Sequence, residues 1–284
     1  MRIKQIAVVG CGTMGAGIIQ VAAQTGIEAV GIETSEEAAE AARARIKAGL
    51  EATASRGKIT AEEAIDASKR FTVTTDFNAV SDADLVVEAV FEDVDLKKRV
   101  LGDIDRLVGP ETFIASNTST IPLVILAAAT SRPERVVGLH FFNPVPAMKL
   151  VEVIKTPVTS PEHVETMRAL AVEMGKSPVI VNDVPGFVGN LLIVPYLLDA
   201  IRAFERGVAD MESIDAVIKT GFNHPMGPFR LSDLIGLDIV HDMAASMYEE
   251  YKDQRYFPPP LLKQYVRLGW LGRKTGRGFY RYDD

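Results

Sequence analysis

The chain has 284 residues, of which 47% are hydrophobic and 24% charged, and its formal net charge is −7. This composition is that of a globular protein large enough for two domains, and the acidic balance argues against a nucleic-acid-binding surface. With no run of 18 apolar residues, a single cysteine (Cys11) and four scattered histidines, we expect no membrane span, disulfide or metal site, and a cytoplasmic location.

A glycine-rich loop joins the first strand to the first helix. Apolar runs predict strands over residues 6–9 and 29–32, and residues 14–24 have one apolar helical face. Between them the GxGxxG spacing allows a tight turn and the close approach of a diphosphate to a helix N-terminus. Glu33, 21 residues after Gly12, would accept hydrogen bonds from the adenosine ribose and repel a 2′-phosphate. The pattern favours NAD binding over a structural turn, with contacts from Gly10, Gly12, Thr13, Met14, Gly15 and Glu33.

A helical hairpin follows over residues 36–68, where Ala, Glu, Lys and Arg dominate. Residues 54–58 mark the end of the first helix, and Thr60 with Glu63 has the spacing of a capping box for the second. Arg56 and Lys58 lie at the turn between the helices. Two interpretations of these cations stay open: they interact with the negative end of the helix dipole, or they bind an anion.

Strands then alternate with helices, a rhythm that predicts a doubly wound, mostly parallel Rossmann-type sheet. Functional residues of such sheets lie at the carboxyl ends of strands. Glu92, Asn117, Ser119 and His140 are each predicted to follow such an end. The predicted elements are strands over 71–74, 85–90, 113–115, 136–141, 150–154 and 178–181, and helices over 93–107 and 162–174.

His140 has the setting of a general base. It ends an apolar run, with Ser119 upstream and Glu152 downstream in another apolar run. A carboxylate that orients an imidazole, and a hydroxyl that fixes the substrate, suit proton transfer from an alcohol. The alternatives are a satisfied core histidine and, for Glu152, a surface acid at a strand edge.

A second domain is predicted from residue 185, giving domains over 1–184 and 185–284. Beyond Pro185-Gly186 the pattern is helical, over 188–205, 213–220 and 239–251, with only a possible strand at the terminus. The first of these helices is apolar nearly all round, so we expect it to be buried on most sides. Residues 256–260 predict a rigid surface loop, and residues 269–284 a glycine-rich tail. Asn190 opens this domain, which favours a site between the domains over a helix-start role.

Five motifs, spread over essentially the whole chain, together resemble those of one protein family. The chain is similar to the NAD-dependent L-3-hydroxyacyl-CoA dehydrogenases, especially bacterial 3-hydroxybutyryl-CoA dehydrogenases. The motifs are Gly10–Gly15, Ser116–Ser119, Leu139–Pro144 with Met148–Glu152, Pro185–Asn190 and Pro225–Phe229.

The resemblance implies a reversible oxidation of (S)-3-hydroxyacyl-CoA, with His140 as the base, Glu152 as its orienting acid, and Ser119 and Asn190 as substrate-binding groups. It also implies a homodimer formed through the helical domain. The cation that meets the CoA phosphates is poorly fixed by motif, so Arg56 and Lys58 are candidates by location alone. Further cofactor contacts would fall on Glu92, Lys97, Asn117 and Asn143.

Two other functions stay open at this point. One is a dehydrogenase of the same architecture for a hydroxy acid without CoA, and the other is a non-catalytic NAD-binding protein. The β-hydroxyacid dehydrogenases with a catalytic lysine are disfavoured, because no lysine lies at the helix start near Asn190. The joint presence of Ser119, His140, Glu152 and Asn190 argues against a non-catalytic protein.

Overall fold

The computed structural model describes residues 2–282, in two compact units of which the first ends at Val184 and the second begins at Pro185. The last two residues of the predicted glycine-rich tail lie outside the described part of the chain. Among residues 2–282, none of the helices is long and apolar enough to cross a lipid bilayer.

The first unit is built on one eight-stranded sheet. Its strands are β1 (Gln5–Val9), β2 (Glu28–Ile32), β3 (Phe71–Thr74), β4 (Leu85–Glu88), β5 (Phe113–Ser116), β6 (Val136–Phe141), β7 (Leu150–Lys155) and β8 (Ser177–Asn182). The spatial order is β3-β2-β1-β4-β5-β6-β7-β8. The first six strands are parallel, β7 runs antiparallel to β6, and β8 is parallel to β7. The predicted doubly wound, mostly parallel sheet is confirmed.

The α-helices described alongside this sheet are α1 (Thr13–Gln24), α2 (Glu36–Ser55), α3 (Ala61–Ser68), α4 (Val94–Leu107), α5 (Leu123–Ala127) and α6 (Pro161–Glu173). The helical hairpin is formed by α2 and α3. Its capping box is confirmed, since the Thr60 hydroxyl accepts from the Glu63 N–H and the Glu63 carboxylate accepts from the Thr60 N–H. The short helix α5 was not predicted, because five residues contain too little periodicity to separate a helix from a buried strand.

Three central strands are buried along their whole length, yet each carries a polar side chain near its carboxyl end. Strands covered on both faces are expected to be continuously apolar. In β4, β5 and β6 the exceptions are Glu88, Ser116 and His140. Glu88 and Ser116 are the last residues of their strands, and His140 is the last but one, inside β6 rather than past its end. Such buried polar groups require partners, which places them where chemistry is concentrated.

The second unit is helical, and its helices are α7 (Gly189–Glu205), α8 (Met211–Ala216), α9 (Pro228–Ile235), α10 (Leu237–Tyr251) and α11 (Pro260–Arg267). Its core includes Leu198, Phe229 and Leu262, all fully buried. A π-helical turn, Val217–Gly221, follows α8.

Several expectations for this unit are wrong. Tyr256 of the predicted surface loop is 4% exposed and packs in the core. By contrast, the expectation that α7 is buried on most sides is confirmed: Leu192 is 63% exposed, but Val194, Leu197 and Leu198 are fully buried. The possible terminal strand is absent up to residue 282, where isolated bridges join Arg277 to Gly272 and Arg281. The helices α9 and α11 are not predicted, because each spans only eight residues and opens with a proline, which is common both in loops and at the first position of a helix.

Candidate active site

The glycine-rich loop lies where the order of the strands changes direction, between β1 and β4. Gly10 has a φ of +89°, and a side chain there would bring its Cβ to 2.8 Å from the Ala89 carbonyl oxygen. At Gly15 the added Cβ would lie 1.9 Å from the Gly10 carbonyl oxygen. Ligands of doubly wound sheets bind at the carboxyl ends of strands at such a switch point. Glycine is therefore required for both the turn and the packing of α1.

The N-terminus of α1 fits the diphosphate of a dinucleotide. Gly12 caps α1 without a side-chain hydrogen bond, and a Cβ at Gly12 would meet nothing within 4 Å. Thr13 and Met14 form the first turn. Backbone N–H groups and the helix dipole at such an end attract phosphate oxygens.

Glu33 follows β2 and lies against the same loop. One of its carboxylate oxygens accepts from the Cys11 N–H at 2.7 Å, and the other accepts from the Thr34 N–H at 3.2 Å. Burial of the Cys11 thiol, helped by the negative charge of Glu33, raises the pKa of Cys11 to about 12. The thiol is therefore protonated at neutral pH, and the carboxylate both orders the loop and brings negative charge to its edge.

His140 and Glu152 form a buried pair across two strands. They are register partners in the antiparallel pairing of β6 and β7, and 2.7 Å separates His140 Nδ1 from a Glu152 carboxylate oxygen. The two residues are 6% and 2% exposed, so Glu152 is not a surface acid. A carboxylate beside Nδ1 favours the Nδ1–H tautomer and leaves Nε2 as the basic nitrogen. The ring of Phe142 packs on the imidazole, with 4.6 Å between their centroids.

Asn117 and Ser119 lie in the loop after β5. The Asn117 side-chain oxygen accepts from the Phe141 N–H at 3.0 Å, which ties this loop to the strand that carries His140. The Ser119 N–H donates to Glu92 at 2.8 Å. The structure thus brings Asn117, Ser119 and Glu92 to the carboxyl edge of neighbouring strands, as predicted.

Glu92 accepts several hydrogen bonds from this loop and also lies 3.2 Å from the ammonium nitrogen of Lys97. Burial opposes its ionisation. The charge of Lys97 and the hydrogen bonds from Thr118, Ser119 and Thr120 outweigh burial, so the pKa of the Glu92 carboxyl is lowered. Glu92 is an anion at neutral pH.

Sequence reasoning missed Glu88. This carboxylate is fully buried, and 2.6 Å separates it from the Lys97 ammonium, which is itself 1% exposed. A charged residue within the apolar run Leu85–Val90 is the signal that could have revealed it, since isolated charges are rarely buried without a partner.

The remaining predicted residues are spread over both units. Asn143 is exposed after β6, while Arg56 and Lys58 are exposed at the end of α2. Asn190 is 7% exposed in α7 of the second unit. Over residues 2–282 no three His, Cys, Asp or Glu side chains form a group that could hold a metal ion.

Comparison with known proteins shows which family has this arrangement. Residues 5–184 match the NAD-binding domain of 3-hydroxyacyl-CoA dehydrogenase, and residues 186–282 match its C-terminal domain. The chain belongs to the 3-hydroxyacyl-CoA dehydrogenase family. As in that family, its cofactor is NAD, and the chain is an NAD-dependent hydroxyacyl-CoA dehydrogenase.

Individual members of the family are similar over their full length. The chain is 48% identical to a 3-hydroxybutyryl-CoA dehydrogenase of Mycobacterium tuberculosis, with 99% of each chain covered. It is 45% identical to a probable 3-hydroxybutyryl-CoA dehydrogenase of Bacillus subtilis, over 100% of this chain and 99% of that one. Its fold matches the crystal structure of the (S)-3-hydroxybutyryl-CoA dehydrogenase of Ralstonia eutropha with a TM-score of 0.94, at 40% identity, covering 99% and 100% of the two chains.

Proposed function

We propose that the chain interconverts (S)-3-hydroxybutyryl-CoA and acetoacetyl-CoA, with His140 as the group that moves the proton. The observation that carries this proposal is the buried pair of His140 and Glu152, joined at 2.7 Å. A histidine held in one tautomer by a carboxylate is suited to take a proton from an alcohol and to return it to a ketone. The short acyl chain is proposed from the names of the relatives that the chain resembles.

Bound NAD⁺ supplies the acceptor for the hydride that leaves C3 of the hydroxyacyl group. His140, neutral at Nε2, takes the C3 hydroxyl proton, so the products are the ketone, NADH and an imidazolium that releases one proton. The Glu152 carboxylate stabilises this imidazolium through the short contact at Nδ1, and it fixes the ring orientation in which Nε2 is directed away from Glu152. In the reverse direction the imidazolium protonates the ketone oxygen.

Ser119 and Asn190 are proposed to bind the substrate near C3, as the family resemblance implies. The Ser119 backbone is fixed by Glu92, which leaves its hydroxyl on a loop of defined position at the carboxyl edge of the sheet. Hydrogen bonds to the developing charge on the C3 oxygen would be preorganised by this loop. Glu33 is proposed to accept from the adenosine ribose, and Asn117 and Asn143 to contact the cofactor.

The experiment that tests this function compares substrates with the purified full chain. Oxidation of NADH is followed with acetoacetyl-CoA, with a truncated acetoacetyl thioester that lacks the nucleotide, and with free acetoacetate. We expect the CoA thioester to have the highest kcat/KM. A preference for the free acid would assign the chain to a hydroxy-acid reaction, and NADH binding without turnover of any of the three would indicate a non-catalytic NAD-binding protein.

A further inference from the structure

We infer that Glu88 is a positioning residue for the cofactor side of the site, acting through Lys97 and Glu92. This inference depends on the proposed function in one respect: the proposed reaction identifies the site that Glu88 serves. Glu88 is the last residue of β4 and is fully buried. An ionised carboxylate in such a place needs several donors, because its desolvation is strongly unfavourable.

The donors around Glu88 come from three segments of the chain. One carboxylate oxygen accepts from Lys97 Nζ at 2.6 Å and from the Val90 N–H at 2.8 Å. The other accepts from the Ser116 hydroxyl at 2.6 Å. The backbone carbonyl of Glu88 also accepts from the Asn117 N–H at 2.8 Å. Glu88 thus holds the ends of β4 and β5 and the first turn of α4 at one point.

Lys97 uses its ammonium group entirely within the protein. Its three neighbouring oxygens are those of Glu88 at 2.6 Å, the Val90 carbonyl at 3.2 Å and Glu92 at 3.2 Å. An ammonium has three donors, and this side chain is 1% exposed. Lys97 therefore acts on the site as a fixed positive charge beside Glu92, and Glu88 is the buried counter-charge that keeps that ammonium in place.

Glu92, whose position is fixed by Lys97, in turn fixes the loop that carries Ser119. One of its oxygens accepts from the Thr118 hydroxyl at 2.6 Å, from the Ser119 N–H at 2.8 Å and from the Thr120 N–H at 3.1 Å. The chain of contacts runs from Glu88 through Lys97 and Glu92 to Ser119. A change at the buried end is therefore expected to alter cofactor binding at the exposed end.

The test is Glu88→Gln, which keeps the shape and removes the charge. NADH binding by the full-length protein is measured by fluorescence titration at pH 7. We expect the Kd for NADH to rise about tenfold at pH 7, the loss of one charge-assisted hydrogen bond.

The matched control is Asp105→Asn on the same helix. Asp105 is also buried and ion-paired, at 2.6 Å from Arg132, but it lies in the last turn of α4. This variant is expected to lower the thermal midpoint without changing the Kd for NADH. Glu88→Gln with a wild-type Kd would overturn the inference, whatever its stability.

Glu88→Asp keeps the test decisive if Glu88→Gln does not fold. The shorter carboxylate retains the charge but withdraws from Lys97, so the Kd is expected to rise at least about threefold. A folded Glu88→Asp protein with the wild-type Kd would contradict the inference. The titration uses no acyl substrate. Failure of the wild type to turn over acetoacetyl-CoA would therefore count against the proposed function alone.

Discussion

Glu152 lies directly opposite His140 in the antiparallel pair of β6 and β7, with its carboxylate 2.7 Å from Nδ1. The contact depends on register, because a shift of one residue would turn Glu152 to the other face of the sheet. It also depends on the reversal of β7, which is the first strand of the sheet to run against its neighbour.

Glu152→Gln is expected to lower kcat for acetoacetyl-CoA reduction by about 10- to 100-fold, the contribution of a hydrogen bond to a charged group. The amide preserves the shape of the side chain but no longer stabilises an imidazolium. Steady-state kinetics at saturating NADH measure the effect. An unchanged kcat, with the pH dependence of the wild type, would remove Glu152 from the reaction.

Glu33 is expected to select NADH over NADPH by at least about tenfold in kcat/KM, since its charge would face the 2′-phosphate. Glu33→Gln keeps an acceptor for the Cys11 N–H and removes the charge. The ratio of kcat/KM for NADH to kcat/KM for NADPH should therefore fall, without loss of turnover. Glu28→Gln, an exposed acid at the start of the same strand, is the control and should leave the ratio unchanged. Equal kcat/KM for both cofactors in the wild type would refute the assignment.

Arg56 and Lys58 remain candidates for binding the CoA phosphates. An exposed cation contributes about 1 kcal/mol to such a contact, and salt screens it. Arg56→Ala or Lys58→Ala should raise KM for acetoacetyl-CoA several-fold with kcat nearly unchanged, and should not affect the truncated thioester. Lys69→Ala, at the end of α3, is the matched control. If both variants match the wild type on the CoA ester, the phosphates are bound elsewhere.

A homodimer remains a prediction, and exposed apolar side chains of the second unit are candidates for its interface. Leu192, Val217 and Phe222 are 63%, 58% and 68% exposed, and Leu192 borders a cavity of 440 Å³. Leu192→Asp is expected to weaken dimerisation by about 30-fold or more if this side chain is central to the interface. Sedimentation velocity at micromolar concentration measures the degree of dimerisation. Val208→Asp, at another exposed apolar residue, is the control. A wild type that is monomeric and active would contradict the prediction.

Much of the first unit could be predicted because its strands are apolar and its helices are amphipathic or capped. The glycine loop, Glu33 and the capping box at Thr60 follow from local spacing, and local spacing is what a sequence displays. The antiparallel β7 could not be predicted, because an apolar run carries no sign of its direction.

The pairing of Glu88 with Lys97 was missed for a related reason. The two residues are nine positions apart, on a strand and on the helix that follows it, and they meet only after both elements pack. Burial decides their role, and burial of a charge is the feature that composition and periodicity represent least well.

The central claim is that His140 moves the proton, and His140→Gln tests it most directly. We expect kcat for acetoacetyl-CoA reduction to fall by roughly 10²–10⁴ while the Kd for NADH stays within about threefold of the wild type. His163→Gln is the control, because this buried histidine bonds the Glu134 carbonyl and packs on Phe113 away from the pair. A His140→Gln protein that keeps more than about a third of the wild-type kcat would contradict the account.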